Sequence, residues 1–266
     1  RANDRVLLEC YGNIACDTYY QQYSSREWFI HVNNHHGAVR HSVLRDTCRM
    51  SRIPPRRAYS PSVEPRTIRH VIPQVASVVP KSSGRSLCVV APDEYSQEQL
   101  CISRESLKSY ARKTKADYVE LTKFEPLQPF GCGNKYAVVP VAEQYEQTLY
   151  VDCDVIATAW SKDIFNEVQK NQFGLFDERP HQHAGLCDSI TKAIAKQSTE
   201  IEGEPIHCHG LYNAGVMVLP SNCRDVYFPP PGRISCHGWA EQCWLMICIE
   251  KLRPELSKLN WQWNCQ

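Results

Sequence analysis

An alternation of short apolar runs with longer helical stretches begins at Ser86 and constrains the fold more than any other feature of the sequence. The apolar runs have the length and composition of buried strands and lie at 87–90, 118–121, 148–151, 173–176 and 216–219. Stretches with helical spacing lie around 96–111, 135–147, 164–168, 187–198 and 239–249. Strands and helices that alternate in this way predict an α/β fold with a mostly parallel central sheet.

Three local patterns refine this prediction. Ser96 followed by Gln99 matches a capping box, so we expect the first helix to begin there. Pro140 is expected to kink or split the stretch at 135–147, because proline removes a backbone donor. The stretch at 239–249 is apolar almost all round, which predicts a buried helix.

Residues 1–85 differ from the rest of the chain in charge and in proline content. They carry 13 Lys and Arg against six Asp and Glu, a balance of +7, so the remaining residues sum to −6. Seven prolines between residues 51 and 92 predict a linker or irregular segment. We therefore divide the chain into a basic arm, 1–85, and a folded domain, 86–266. The arm lacks aromatic interleaving and groove-reading motifs, so we expect no nucleic-acid partner.

The cysteines and the hydropathy bear on the compartment. Fourteen cysteines are present, and Cys88, Cys153 and Cys248 lie inside apolar or strand-like runs, which favours free thiols. We therefore expect a reducing, cytoplasmic setting, with the Golgi lumen as the alternative if a targeting segment precedes the sequence. No apolar run approaches the roughly 18–20 residues of a membrane span, so none is expected.

Two carboxylates follow the predicted strand at 148–151. Asp152 and Asp154 stand one residue apart at its carboxyl end, where ligands of open α/β sheets bind. Mg²⁺ and Mn²⁺ prefer oxygen ligands and often take one or two carboxylates together with substrate phosphates. Taken alone, the tripeptide Asp152-Cys153-Asp154 is explained equally well as a metal site or as a pair of acids that caps a loop after a strand.

The pair belongs to a set of five short motifs, in order along the chain. They are Val89-Val90-Ala91, Tyr110-Ala111 with Ala116-Asp117-Tyr118, Asn134-Lys135-Tyr136, Tyr150-Val151-Asp152-Cys153-Asp154, and Tyr212-Asn213-Ala214-Gly215-Val216-Met217-Val218-Leu219 with Glu241-Gln242. In these five motifs and their order, the chain from about Ser86 to Asn264 resembles retaining glycosyltransferases of the glycogenin-like group and their bacterial and viral relatives. The resemblance implies a GT-A fold, which is a Rossmann-like α/β domain.

The resemblance also implies a site. Asp152 and Asp154 would bind Mn²⁺ or Mg²⁺, which would hold the diphosphate of a nucleotide sugar, and Lys135 would contact that diphosphate or the sugar. The residues expected to bind the nucleotide sugar and its metal are Val90, Ala91, Asp117, Lys135, Asp152, Cys153, Asp154, Asn213, Ala214 and Gly215. The residues expected to act in transfer are Lys135, Glu241 and Gln242. The implied donor is a UDP-hexose, and the acceptor is an unspecified carbohydrate or glycoconjugate.

Simpler interpretations of these residues stay open. Lys135 would otherwise be a solvated surface lysine, and Asn213-Ala214-Gly215, similar to a sugar-holding loop of the family, would be a turn before a strand. Glu241 stands where the family usually has Asp, and it would also suit the first turn of a helix. The pair Asp177-Glu178 would face a sugar or lie in solvent.

The sequence departs from the family at its C-terminal end. The family usually has a metal-binding histidine beyond the position of Gln266, so we expect the domain to be cut short there.

Three other functions compete with the transferase. An Asp-X-Asp after an apolar strand also marks haloacid-dehalogenase-type phosphatases, although Ile156 stands where that signature wants Thr or Val. A zinc-binding structural module would use a cluster of soft ligands, namely His181, His183, Cys187, His207, Cys208 and His209. A degenerate transferase fold that binds sugar nucleotides without turnover is the third.

Overall fold

A computed structural model describes residues 29–31, 84–124, 131–182, 184–230 and 240–263, with the backbone alone for 29–31 and 131–132. The strands are β1 Phe29–His31, β2 Arg85–Val90, β3 Asp117–Leu121, β4 Gln147–Val151, β5 Val155–Ala157, β6 Phe173–Asp177, β7 Tyr212–Pro220 and β8 Leu256–Leu259. The α-helices are α1 Glu94–Thr114, α2 Val139–Ala142, α3 Ala184–Glu202 and α4 Ala240–Leu252. Short 3₁₀ helices span Gly131–Val138, Ile164–Asn166, Cys223–Asp225 and Trp261–Trp263.

Six strands form the central sheet, in the order β3-β2-β4-β7-β6-β8. The pairs β2–β3, β2–β4 and β6–β8 are parallel. Strand β7 is antiparallel to both of its neighbours, β4 and β6. The predicted α/β fold with a mostly parallel sheet is therefore confirmed, and β7 makes the sheet a mixed one.

The two faces of the sheet bury separate apolar clusters. Leu149 and Val151 of β4 point to the face covered by α1, whereas Tyr150 points to the face covered by α3, α4 and the 3₁₀ helix Gly131–Val138. This division follows from the two-residue period of side chains along a strand. The predicted burial of the last helix is confirmed, since nine residues of α4 are buried. Trp239, the predicted first residue of that helix, lies outside the described residues.

Helix α1 begins earlier than the predicted capping box. Its N-cap is Asp93, whose carboxylate accepts from the backbone N–H of Ser96 at 2.8 Å. The Ser96 hydroxyl in turn accepts from the Asp93 N–H at 3.2 Å. The prediction that Ser96 and Gln99 cap the helix was therefore wrong by one turn. Either register satisfies exposed N–H groups with side-chain oxygens, and the spacing of residue types alone does not separate the two.

Several other elements differ from their predicted form. The stretch at 135–147 is a 3₁₀ helix followed by the four-residue α2, and Pro140 stands in the first turn of α2, where its missing donor costs nothing. Strand β7 begins at Tyr212, four residues before the predicted start. Strands β5 and β8 were not predicted.

A segment of the predicted arm contributes a strand. Phe29–His31 pairs antiparallel with β5, with Ile30 opposite Ile156 and His31 opposite Val155. The rest of residues 1–83, and with it most of the predicted arm, lies outside the described residues. Among the helices that are described, none has the length and hydropathy that a bilayer span requires.

Candidate functional site

Asp152 follows the last residue of β4 at the carboxyl edge of the sheet. Its backbone N–H donates to the carbonyl of Gly215 in β7 at 2.8 Å, which continues the β4–β7 ladder by one step. Its carboxylate accepts from the hydroxyl of Tyr150 at 2.6 Å. The Asp152 side chain therefore lies on the face of the sheet that Tyr150 occupies.

Lys135 lies close to three other predicted site residues. Its Nζ atom lies 3.0 Å from the Asp152 carboxylate, 3.3 Å from the carbonyl oxygen of Ala214 and 3.9 Å from Glu241 Oε2. It also lies 5.8 Å from the centre of the Tyr150 ring, within the range of a cation–π contact. The side chain is only 21% exposed, so Lys135 is not the solvated surface lysine of the simpler interpretation.

Glu241 is a buried acid in the first turn of α4, with 2% of its surface exposed. The hydroxyl of Tyr227 donates to Glu241 Oε1 at 2.5 Å. Burial raises the pKa of Glu241 to about 7, and the nearby Asp152 adds to the increase. The Lys135 ammonium and the Tyr227 hydroxyl both act in the opposite direction. Glu241 therefore changes its protonation state near neutral pH.

Asn213, Ala214 and Gly215 lie inside β7, so the prediction that they form a loop or turn was wrong. Asn213 is 7% exposed, and its Nδ2 donates to Glu178 Oε1 while its Oδ1 accepts from the Gly215 N–H. The strand begins early because β6 pairs with this stretch as well, with Phe176 opposite Asn213. The predicted strand was too short because the sequence pattern contains no sign of this non-local pairing with β6.

Glu178 follows β6 and is 4% exposed, so the expectation of a solvated residue at this position was wrong. Asp177 before it accepts from the backbone N–H groups of Arg179 and Leu211 at 3.1 and 3.0 Å. The Asp177 carboxylate thus fixes two backbone amides, and the Glu178 carboxylate is paired with Asn213 of β7.

Cys153 faces the other side of the sheet. Its Sγ donates to Gln99 Oε1 of α1 at 3.2 Å, and its carbonyl accepts from the hydroxyl of Ser103 at 2.6 Å. Burial raises the pKa of the Cys153 thiol, and the neighbouring Asp154 and Asp152 raise it further. The thiol therefore stays protonated and anchors the Asp152–Asp154 turn to α1. Asp154 itself is partly exposed.

The remaining predicted residues lie at different distances from this cluster. Val90 and Ala91 are buried at the carboxyl end of β2, the edge of the sheet that carries Asp152. Gln242 is partly buried beside Glu241 on α4. Asp117 is not brought to the site, because it starts β3 opposite Ser86 at the other edge of the sheet. Its carboxylate accepts from the Tyr145 hydroxyl at 3.0 Å.

Tyr227 is a residue beside the site that the sequence did not reveal. Its ring packs 4.9 Å from that of Tyr136, centre to centre, and its hydroxyl meets Glu241. Burial raises the pKa of Tyr227 well above its usual value, so the hydroxyl acts as a donor. Tyr227 follows a 3₁₀ turn outside any periodic segment, and no sequence pattern marks it.

The soft-ligand cluster considered for zinc is dispersed into other contacts. The ring of His181 stacks on Phe176 with centroids 5.3 Å apart, and His209 Nδ1 lies 2.9 Å from Glu250 Oε2. His183 lies outside the described residues. Within the part of the chain that is described, no group of three or more His, Cys, Asp or Glu side chains is arranged to hold a metal ion.

Comparisons with known proteins give a partial likeness. No protein-family model matches the sequence, and no curated protein matches it. Part of the chain is similar to a solved structure described as a glycosyltransferase involved in the glycosylation of the major capsid of PBCV-1. The two share 14% sequence identity with a TM-score of 0.34. The matched region covers 51% of this chain and 59% of the other, less than two thirds of that protein's length.

Proposed function

We propose that this protein is a glycosyltransferase that moves a hexosyl group from a UDP-hexose to a carbohydrate or glycoconjugate acceptor, with Mn²⁺ or Mg²⁺. One observation carries the proposal. Lys135, Ala214 and Glu241 lie in three different elements and Asp152 directly follows a fourth; the family resemblance implied each of them at such a site, and they meet around one ammonium group.

The donor atoms present fit a hard divalent cation. Asp152 accepts one hydrogen bond from Tyr150 and one from Lys135, which leaves lone pairs of its two oxygens for a metal. Asp154, two residues on, is partly exposed. Mg²⁺ and Mn²⁺ commonly take one or two carboxylates and complete their shell with water and phosphate oxygens. Asp152 and Asp154 would hold the ion, and the bound ion would offset charge on a diphosphate.

The transfer itself breaks the bond between the anomeric carbon and the diphosphate oxygen and forms one from that carbon to an acceptor hydroxyl, whose proton passes to the released UDP or to water. Negative charge grows on the departing UDP during this step. The half-buried Lys135 ammonium is suited to stabilise that charge, because fixed charges act more strongly in a partly dehydrated site. Asp152 and the Ala214 carbonyl hold the ammonium in place.

Donor hydrolysis tests the proposal without knowledge of the acceptor. The purified protein is incubated with Mn²⁺ and a panel of nucleotide sugars, and the release of UDP is followed. We expect turnover of a UDP-hexose, and we expect Asp152→Asn and Asp154→Asn each to lower the rate by at least about tenfold, the usual effect of weakening a metal site.

Asp188→Asn is the matched control, since Asp188 is an exposed residue of α3. It makes the same chemical change away from the site and should keep the parent rate. Equal rates in the parent, Asp152→Asn and Asp154→Asn would remove the metal assignment. No turnover of any nucleotide sugar by the parent would contradict the proposed activity.

A further inference from the structure

A line of hydrogen bonds runs from the end of β6 to the proposed site. Glu178 Oε1 accepts from Asn213 Nδ2, and Asn213 Oδ1 accepts from the N–H of Gly215 at 2.6 Å. The carbonyl of Gly215 then accepts from the N–H of Asp152 at 2.8 Å. Four residues from three neighbouring strands or strand ends are linked in this way.

Each link in this line fixes the next one. The Asn213 side chain has one end on Glu178 and the other on Gly215, so the orientation of its amide is determined from both sides. Gly215 uses its N–H for Asn213 and its carbonyl for Asp152, which holds the peptide groups on both sides of this residue. Asp152 takes this bond at the point where β4 ends and the turn to Asp154 begins.

Burial of the Glu178 side chain costs free energy, which favours a specific role for this residue. A buried carboxylate loses its hydration and is retained only where hydrogen bonds compensate for the loss. Its partner Asn213 is itself 7% exposed, so the pair is shielded from water. An apolar pair would fill the same space without that penalty, but it would leave the Gly215 N–H without the side-chain acceptor that it has here.

We propose that Glu178 is a positioning residue, which acts through Asn213 and Gly215 to fix the backbone of Asp152 and so the direction of its carboxylate toward Lys135. Glu178 itself need not touch the donor or the metal. The inference rests on the proposed function in one respect, since the direction of the Asp152 carboxylate matters only if Asp152 takes part in that function. The hydrogen-bonded connection from Glu178 to Asp152 can be tested without any activity.

Two variants of Glu178 separate its hydrogen bond from its charge. Glu178→Gln keeps an acceptor oxygen for Asn213 and removes the charge, whereas Glu178→Ala removes both. The first readout is the backbone amide resonances of Gly215 and Asp152 in ¹⁵N-labelled protein. We expect both resonances to shift in Glu178→Ala and to stay near their parent positions in Glu178→Gln. Glu202→Gln, at an exposed ion pair with Lys251, is the control.

The second readout is the Mn²⁺ concentration that half-saturates UDP binding. We expect Glu178→Ala to raise it about tenfold, as changes to groups that orient metal ligands do. Glu178→Gln should restore most of the parent affinity, a rescue that loss of packing alone would not give. If Glu178→Ala does not fold, Glu178→Asp provides the same test, because it keeps the charge and withdraws the acceptor by one methylene.

Unmoved Gly215 and Asp152 amides in a folded Glu178→Ala or Glu178→Asp protein would overturn the inference. The same holds if Glu178→Gln disturbs these amides as much as Glu178→Ala does. A parent protein that binds no UDP would instead contradict the proposed function, and the amide resonances would still decide whether Glu178 positions Asp152.

Discussion

Lys135 carries a positive charge into a half-buried position where two carboxylates and a backbone carbonyl surround it. Asp152 at 3.0 Å is the partner in direct contact, and Glu241 at 3.9 Å is more deeply buried. Since burial disfavours the charged form of an acid, Glu241 keeps its proton to higher pH than an exposed glutamate does. The charge of this cluster therefore depends on pH close to neutrality.

The raised pKa of Glu241 makes stability depend on pH in a defined direction. Between its ordinary value of 4.5 and its folded value of about 7, the folded protein binds more protons than the unfolded chain. Stability contributed by the protonated acid is thus present below pH 4.5 and is lost as the pH rises toward 7. A shift from 4.5 to about 7 corresponds to a loss of up to about 3 kcal/mol.

Glu241→Gln tests this direction, because the amide keeps an oxygen for Tyr227 and does not titrate. The free energy of unfolding is measured in urea at several pH values from 4.5 to 7.5 for parent and variant. We expect the parent to lose stability relative to the variant as the pH rises. A difference between the two proteins that is constant with pH would show that Glu241 has an ordinary pKa.

At the scale of single elements, local patterns predicted most strands and helices but not all of their ends. Buried runs such as 148–151 were found because a continuous apolar strand needs no further signal. Strand β8, Leu256–Leu259, was missed because it is short and only its last residue is buried. The early start of β7 depends on pairing with β6, which lies more than 30 residues away in sequence and leaves no local trace.

Strand β1 shows how a distant segment supports the turn that carries Asp154. The N–H groups of Val155 and Ala157 are directed to the Asp152 carbonyl and to the Ser106 hydroxyl, each at 3.2 Å. Because N–H directions alternate along a strand, the N–H of Ile156 points the other way, toward its partner Ile30 in β1. The β5 edge is thus completed by residues of the predicted arm.

Removal of this segment should therefore loosen β5. We expect a chain that begins at residue 84 to lose about 1 kcal/mol of local protection at the Ile156 amide, the typical value of one hydrogen bond. A chain that begins at residue 27 keeps Phe29–His31 and is the control. Hydrogen exchange at Ile156 measures the effect, and equal exchange rates in both shortened chains would show that β1 does not protect β5.

At the scale of the whole molecule, one sheet separates two apolar clusters and carries the polar site at an edge. The alternation of strands and helices predicted this layering, since each amphipathic element must bury its apolar face against another layer. The order of the strands and the antiparallel direction of β7 were not predictable, because they depend on contacts between remote parts of the chain. The site was predicted as separate motifs, and the structure adds how Lys135, Asp152, Ala214 and Glu241 meet.

The binding of UDP to the purified protein, measured by isothermal titration with Mn²⁺ and again with EDTA, tests the central claim most directly. If Asp152 and Asp154 hold a cation for a diphosphate, UDP will bind with Mn²⁺ and not with EDTA. Asp152→Asn will then weaken the binding at least about tenfold. UDP affinity that is the same with EDTA and in Asp152→Asn would contradict the account.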